Sequence, residues 1–260
     1  RNTFMDYFCF SDIQGHGELF DKILNWLNSR SEPWKCYFLG DACDRRDDGY
    51  RIIETLLNDE RFIYLKGNHE DLFVRAAKAF KTYVRMEQLT NEEVAAIPYE
   101  HIMTCLYNSD INLHIQNGGL KTLMDWVADG APMEIINKLA ALPLHVELPN
   151  EVWGKLDLSH AGHPAEDFSE NTLLWSRDHF NEDFESGRMI HGHTPVRYLM
   201  KYVLTSNNGH TARIAFYANS TKVDIDTACF SSDTITLLNL NTFEQHKFYT
   251  DSLLKAAKGE

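Results

Sequence analysis

The sequence predicts an α/β fold with parallel strands, and two patterns carry that expectation. Three short apolar runs near the N-terminus each end in a polar loop, and helical periodicity follows the first two and sets in again after the third. Strand, loop and helix repeated in this way build a parallel sheet, whose chemistry collects at the carboxyl ends of the strands. After a long helical stretch, runs rich in β-branched and aromatic residues return and predict further strands.

In order, Phe4 to Phe10 reads as a first strand that stops at Ser11-Asp12. Leu19, Phe20, Ile23, Leu24 and Leu27 recur at helical spacing and predict an amphipathic helix ending near Asn28. Trp34 to Leu39 is a second strand, closed by Gly40-Asp41. Tyr50 to Leu57 is a second helix with Ile52, Ile53, Leu56 and Leu57 on one face, and Phe62 to Leu65 is a third strand running into Lys66-Gly67-Asn68-His69. From about Asp71 to Leu148 the chain reads as a helical insertion covering one end of the site, broken at Pro98, Gly118-Gly119, Gly130, Pro132 and Pro143. Val152 to Leu158 and Arg188 to Ile190 return to strand, ending in Ser159-His160 and His191-Gly192-His193. Ala212 to Tyr249 predicts mainly antiparallel strands forming a second sheet.

The formal charge of −13 argues against nucleic acid or an anionic membrane surface as partner. A phosphate site in so acidic a chain needs positive charge of its own, from bound cations and a few arginines. Cys9, Cys36, Cys43, Cys105 and Cys229 are odd in number and form no CxxC pair, so reduced thiols in a cytoplasmic protein are expected. No apolar run approaches a membrane span, and the first residues show no signal-peptide pattern. One domain over residues 1–260, with its insertion at about 71–148, fits the length.

Each polar block holds Asp, Asn or His beside a small residue: Ser11 to Gly17, Gly40 to Arg45, Gly67 to Glu70, Ser159 to Gly162 and Ile190 to Thr194. Hard oxygen donors and imidazoles at several strand ends suit a pair of divalent cations, which can activate water and clamp an in-line displacement at phosphorus. Asp41, after Gly40 at a buried strand end, is the candidate bridge. Asp12 serves one metal, and Asn68, His160 and His193 serve the other. His69 is placed to protonate a leaving alkoxide, with Asp44 to fix its tautomer. Arg45 and Arg177 can fork onto phosphate oxygens. Taken singly, several of these residues have bland readings: Asp12 as a helix N-cap, Asp44 with Arg45 as a surface ion pair. His16, His163 and His179 read as structural or surface residues, and His191, next to His193, as a group behind the ligands rather than a ligand itself.

Five blocks in this order resemble the phosphoprotein phosphatase branch of the calcineurin-like metallophosphoesterases, whose pattern is GDxHG, GDxxDRG, GNHE, a His-Ala-Gly block and a Gly-His-Thr block. Asn117-Gly118-Gly119 with Thr122-Leu123, Leu174-Trp175-Ser176-Arg177 and Asp224-Ile225-Asp226-Thr227 extend the likeness, nearest to bacterial and phage serine/threonine protein phosphatases. The resemblance implies a four-layer α-β-β-α sandwich. It implies phosphomonoester hydrolysis by in-line attack of a metal-bound hydroxide, with two divalent ions, Mn²⁺ first and Mg²⁺, Fe or Zn²⁺ as alternatives. It assigns Asp12, Gln14, Asp41, Asn68, His160 and His193 to the metals, His69 with Asp44 to acid catalysis, and Arg45, Asn68 and Arg177 to the substrate. A phosphorylated protein or small phosphate ester is the expected partner, and a monomer the expected form.

Two departures stand out. Gln14 occupies the place of a metal-binding histidine, so the Asp12 side of the centre is expected to be weak, and Arg46 occupies the place of a glycine. Because Asp44 is present, the resemblance favours a protein phosphatase over a dinucleoside polyphosphate hydrolase such as one cutting diadenosine tetraphosphate. Gln14 is the feature favouring a third reading, a metal-impaired phosphate-binding member without turnover.

Overall fold

The computed structural model describes residues 4–199 and 213–259. In chain order the elements are β1 (Asp6–Phe10), α1 (Gly17–Asn28), β2 (Trp34–Phe38), α2 (Gly49–Asn58), β3 (Phe62–Tyr64) and α3 (Asn68–Met86). Then come α4 (Asn91–Ala95), α5 (Tyr99–Thr104), α6 (Ser109–Gln116), α7 (Leu120–Ala128), α8 (Met133–Ala140), β4 (His145–Asn150), β5 (Gly154–Ser159) and α9 (Glu170–Trp175). The remaining elements are β6 (Arg188–His191), α10 (Val196–Leu199), β7 (Ala215–Tyr217), β8 (Lys222–Asp224), α11 (Cys229–Ser232), β9 (Thr234–Asn239), β10 (Gln245–Tyr249) and α12 (Asp251–Lys258).

Two five-stranded sheets result, ordered β10-β9-β1-β2-β3 and β4-β5-β6-β8-β7. The alternation of side chains along the strands explains how they stack. Phe8, Phe10, Cys36, Phe38, Phe62 and Tyr64 face α1 and α2, meeting Leu19, Phe20, Ile23, Ile52 and Ile53. Their neighbours Cys9, Tyr37, Leu39 and Leu65 point the other way, onto Leu156, Leu158, Ile190 and Val223 of the second sheet. On the far side of that sheet, Ala215 and Tyr217 pack with Phe180, Val196 and Leu199. The architecture is the four-layer sandwich that the resemblance implied.

The helical stretch begins at Asn68 rather than near 71, and its last residues are already strand, because His145–Asn150 pairs antiparallel with β5. Its helices share the first sheet's core: Phe73, Phe80, Val94, Ile111, Leu123, Trp126 and Ile136 belong to the same apolar cluster as Phe8 and Phe38.

One expectation is corrected. The C-terminal strands do not make the second sheet by themselves; β9 and β10 extend the first sheet beside β1, while β7 and β8 join β6 in the second. Strand β9 is buried along its whole length, with Ile235 and Leu237 in the helix-facing core and Leu238 in the inter-sheet core. Such a strand needs neighbours on both faces, and its composition does not say which. Ala212, the first residue of the expected C-terminal strand segment, lies outside the described residues.

Candidate metal centre and active site

The polar blocks follow β1, β2, β3, β5 and β6, and the sandwich brings those strand ends together. Glu70 ties the central loops. Its carboxylate accepts from the backbone N–H groups of Asp41 (2.8 Å), Ala42 (2.7 Å) and Gly67 (2.7 Å), and from the Tyr64 hydroxyl (2.8 Å). The loop after β1 is laced to the same turn, with Asp12 N–H donating to Gly40 O and Gln14 N–H to Asp41 O. Asp12, Gln14, Asp41, Asp44, Arg45 and His193 all have φ between 43° and 74°. Left-handed backbone is costly for such residues and persists where surrounding contacts over-determine it, a mark of functional sites.

Close approach also demands glycine here. A Cβ on Gly192 would stand 2.1 Å from Asp12 Oδ2, and one on Gly67 2.2 Å from Asp41 Oδ1. Gly192→Ala is therefore expected to displace Asp12 and weaken metal binding by about tenfold or more. Calorimetric titration with Mn²⁺ checks this, and unchanged affinity would show that the loop yields without cost.

Four donor atoms converge on one point. Asn68 Oδ1 lies 2.8 Å from His160 Nε2 and 2.9 Å from His193 Nδ1, and His160 Nε2 lies 3.4 Å from Asp41 Oδ1. The orientation of His160 is informative, because its Nδ1–H donates to Leu39 O at 2.8 Å. That leaves the Nε2 lone pair facing the oxygens of Asn68 and Asp41, a set of electron pairs that a cation reconciles. Asp12, Asp41 and His160 are all buried and offer ligand atoms within 4.8 Å of one another. Asp12 Oδ2 accepts from His193 N–H, while Oδ1 has no hydrogen-bond partner among the described residues. Burial and the neighbouring Asp41 push the Asp12 carboxyl well above the usual range, and burial with His160 holds the His193 imidazole well below its own. Two buried carboxylates close together, beside an imidazole at His193 held neutral, fit divalent cations. Carboxylate, amide and imidazole donors without thiolate suit first-row divalent ions.

Beside this point lies the His69–Asp44 pair. His69 Nδ1–H donates to Asp44 Oδ2 at 2.7 Å, and Nε2 turns toward Asp41 Oδ2 at 3.9 Å. Burial alone would lower the imidazole's proton affinity, but Asp41 and Asp44 outweigh it and raise the pKa to about 9. Asp44 is itself held well below the carboxylate range: burial opposes this, and His114 and His69 overcome it. Arg45 and Arg177 are exposed; the charge of Arg45 is felt at His69 and that of Arg177 at His193. The Arg45 guanidinium stacks 4.4 Å from the Phe230 ring centroid, and Arg177 Nε–H donates to Thr194 Oγ1 at 3.0 Å.

The bland readings of Asp12 and Asp44 do not hold. The N-cap of α1 is His16, and Asp44 pairs with two histidines rather than with Arg45. Arg46 is likewise clarified. The left-handed residues of that turn are Asp44 and Arg45, not Arg46, whose guanidinium binds Phe230 O (2.9 Å) and Asp233 (2.7 Å). Gln14 is buried in the loop with Asp12, its backbone N–H held by Asp41 O and its carbonyl accepting from Arg46 N–H.

Sequence reasoning gave no role to Glu70, His114 or Asp226. His114, fully buried on α6, donates from Nε2 to Asp44 Oδ1 at 3.0 Å and stacks on Phe73. Asp226, also buried, is pushed well up by burial and by Asp12. The glutamate in Gly-Asn-His-Glu and the aspartate in Asp224-Ile225-Asp226 were visible as motif members, whereas nothing local marks His114, which sits 70 residues from Asp44.

A helix–sheet–sheet–helix sandwich with carboxylate, amide and imidazole donors meeting at its strand ends is the architecture of a metallophosphoesterase. The chain belongs to the calcineurin-like phosphoesterase family, whose sequence profile matches residues 5–213. That family is hydrolytic and uses a dinuclear divalent metal centre. No curated protein matches the chain. Among solved structures, a provisionally assigned diadenosine tetraphosphatase is similar over 95% of both chains at 12% identity, with a TM-score of 0.57. A cold-active protein tyrosine phosphatase aligns over 96% of this chain and 78% of its own, at 13% identity and TM-score 0.56. A serine/threonine phosphatase from Saccharomyces cerevisiae aligns over 96% and 81%, at 11% identity and TM-score 0.52. At these identities the likeness is one of fold. No helix among the described residues is long and apolar enough to cross a membrane.

Proposed function

We propose that this phosphoesterase hydrolyses phosphate monoesters and acts on phosphoserine or phosphothreonine in proteins. The observation that carries the reading is the His69–Asp44 pair, 2.7 Å apart and buried, beside Asp41 with exposed Arg45 and Arg177 on hand. Asp12, Asp41, Asn68, His160 and His193 would hold the cations, with the amide oxygen of Gln14 as a further donor. Bound divalent ions supply activated water and screen the phosphate's charge. Arg45 and Arg177 hold the non-bridging oxygens in their guanidinium forks, a geometry lysine does not offer. Asn68, in the first turn of α3, steadies the ester beside them. His69 carries the proton at Nε2 and delivers it to the leaving alkoxide, while Asp44 keeps the opposite nitrogen protonated.

Mn²⁺ suits the oxygen-rich donor set better than Zn²⁺, because Gln14 brings a hard amide oxygen where an imidazole would favour softer ions. Five free, buried cysteines are consistent with a reducing, cytoplasmic setting. The direct test compares a phosphoserine peptide, an aryl phosphate and diadenosine tetraphosphate side by side in Mn²⁺. Preference for the phosphomonoesters supports the reading; strong preference for the pyrophosphate bond overturns it in favour of a dinucleoside polyphosphate hydrolase. Gln14→His is expected to tighten the Asp12-side metal by about tenfold or more and to raise turnover at limiting Mn²⁺. Turnover absent in the native chain and gained only by this variant would identify a metal-impaired, phosphate-binding protein.

A further inference from the structure

We propose that His145, Asp157 and His163 form a further cation site, apart from the Asp12–Asp41–His160 centre, that takes a single Zn²⁺-class divalent ion. The pleat of β5 fixes its location. Leu156 and Leu158 are committed to the inter-sheet core, so Asp157 between them projects from the opposite, outer face of the second sheet. Register places Glu147 of β4 across from Asp157, and His145 shares that face two residues along. His163 arrives from the loop after β5. The three residues offer ligand atoms within 4.8 Å of one another. His145 Nε2 lies 2.9 Å from Asp157 Oδ2, and His163 Nε2 lies 3.1 Å from Asp157 Oδ1.

The tautomer of His163 sharpens the case. Its Nδ1–H donates to Pro164 O at 2.8 Å, which leaves Nε2 aimed at the carboxylate. This is the arrangement seen at His160, whose Nδ1–H donates to Leu39 O while Nε2 faces Asp41. Metal-binding histidines are commonly oriented by a backbone carbonyl at the other nitrogen. Phe168 packs on both rings, with centroids 4.9 Å from His145 and 4.5 Å from His163, and Phe184 stands 5.9 Å from His163. These aromatics restrain the imidazoles and limit water.

Exposure shows where an ion enters. The side chains of Asp157 and His163 are 0% and 1% exposed, but His145 is 20% exposed. The adjoining cleft, lined in part by His163 and Phe168, also presents Glu166, Glu182 and Glu185. Its lysines are engaged elsewhere: Lys155 pairs with Glu147, and Lys222 donates to His179 O. Two imidazoles and a carboxylate with one open position match the donor set of zinc better than that of Mg²⁺ or Ca²⁺. Because His163 lies three residues beyond His160, the ion would pin the loop that carries a residue of the main centre.

The experiment measures metal uptake by the full chain after chelator treatment and dialysis, using Zn²⁺ by calorimetry and Co²⁺ by visible absorption. The native chain is expected to take up about one equivalent more than His163→Gln or Asp157→Asn, with at least about 100-fold loss of affinity at that site in the variants. Far-UV circular dichroism establishes that each variant folds; where Asp157→Asn does not, His145→Gln, on the open side, takes its place. The Co²⁺ ligand-field band of the additional ion should vanish in these variants and persist in Asp41→Asn. Equal stoichiometry in the native chain and the folded variants would overturn the proposal and leave an ion pair between Asp157 and two histidines.

Discussion

His69→Asn is expected to lower kcat by about 10²–10⁴-fold, the usual worth of a positioned proton donor, while KM moves only a few-fold. The asymmetry follows from geometry. His69 Nδ1 is engaged with Asp44 at 2.7 Å, and its Nε2 is the nitrogen left for a leaving group. The groups proposed to bind the ester, Arg45 and Arg177, do not hydrogen-bond to His69. Asparagine fills much of the same space but cannot give up a proton. Steady-state kinetics with an aryl phosphate of high leaving-group pKa and one of low pKa provides the check. The loss should be large for the first and smaller for the second, whose phenolate departs without help. Equal losses in kcat and KM with both would mean that His69 binds substrate rather than protonating it. Asp44→Asn should show the same leaving-group signature in weaker form, because the amide can still accept from His69 Nδ1–H but no longer stabilises the imidazolium.

Glu70→Ala is expected to cost about 3–5 kcal/mol of stability, the largest effect of any single substitution in the centre. The carboxylate is fully buried and accepts from the N–H groups of Asp41, Ala42 and Gly67 and from Tyr64. Alanine would strand three backbone donors and a phenol without partners, each at about 1–3 kcal/mol before water or relaxation recovers part of the cost. For a chain of this size the unfolding midpoint should fall by roughly 10 °C. Metal affinity should fall with it, since Glu70 fixes the spacing between Asp41 and the start of α3, where Asn68 and His69 reside. Thermal unfolding followed by circular dichroism reads the first effect and Mn²⁺ calorimetry the second. A midpoint within about 2 °C of the native value would show that the loops hold their shape without Glu70.

The helices and most strands are legible because each is a local pattern. The apolar spacing of Leu19, Phe20, Ile23 and Leu27 matches helix α1, and the run at Trp34 matches strand β2. Strand β4 was missed, since His145-Val146-Glu147-Leu148-Pro149-Asn150 is only half apolar and includes a proline, yet it pairs along all of β5 as an edge strand. The candidate site was legible as residue types at strand ends, and the fold brings the side chains of Asp12, Asp41, Asn68, His160 and His193 close together.

By itself the sequence determined the repeating strand–loop–helix plan and which side chains at the strand ends are candidates for ligand and acid chemistry. The tertiary structure decided which strands neighbour which, so that β9 stands beside β1 and not in the second sheet. It also decided that His114 reaches Asp44 from 70 residues away, and that the loop residue His163 meets His145 and Asp157 of the second sheet. The reason is physical. Periodicity and turn chemistry act over a few residues, whereas partner choice depends on burying both faces of a strand and satisfying every buried polar atom at once.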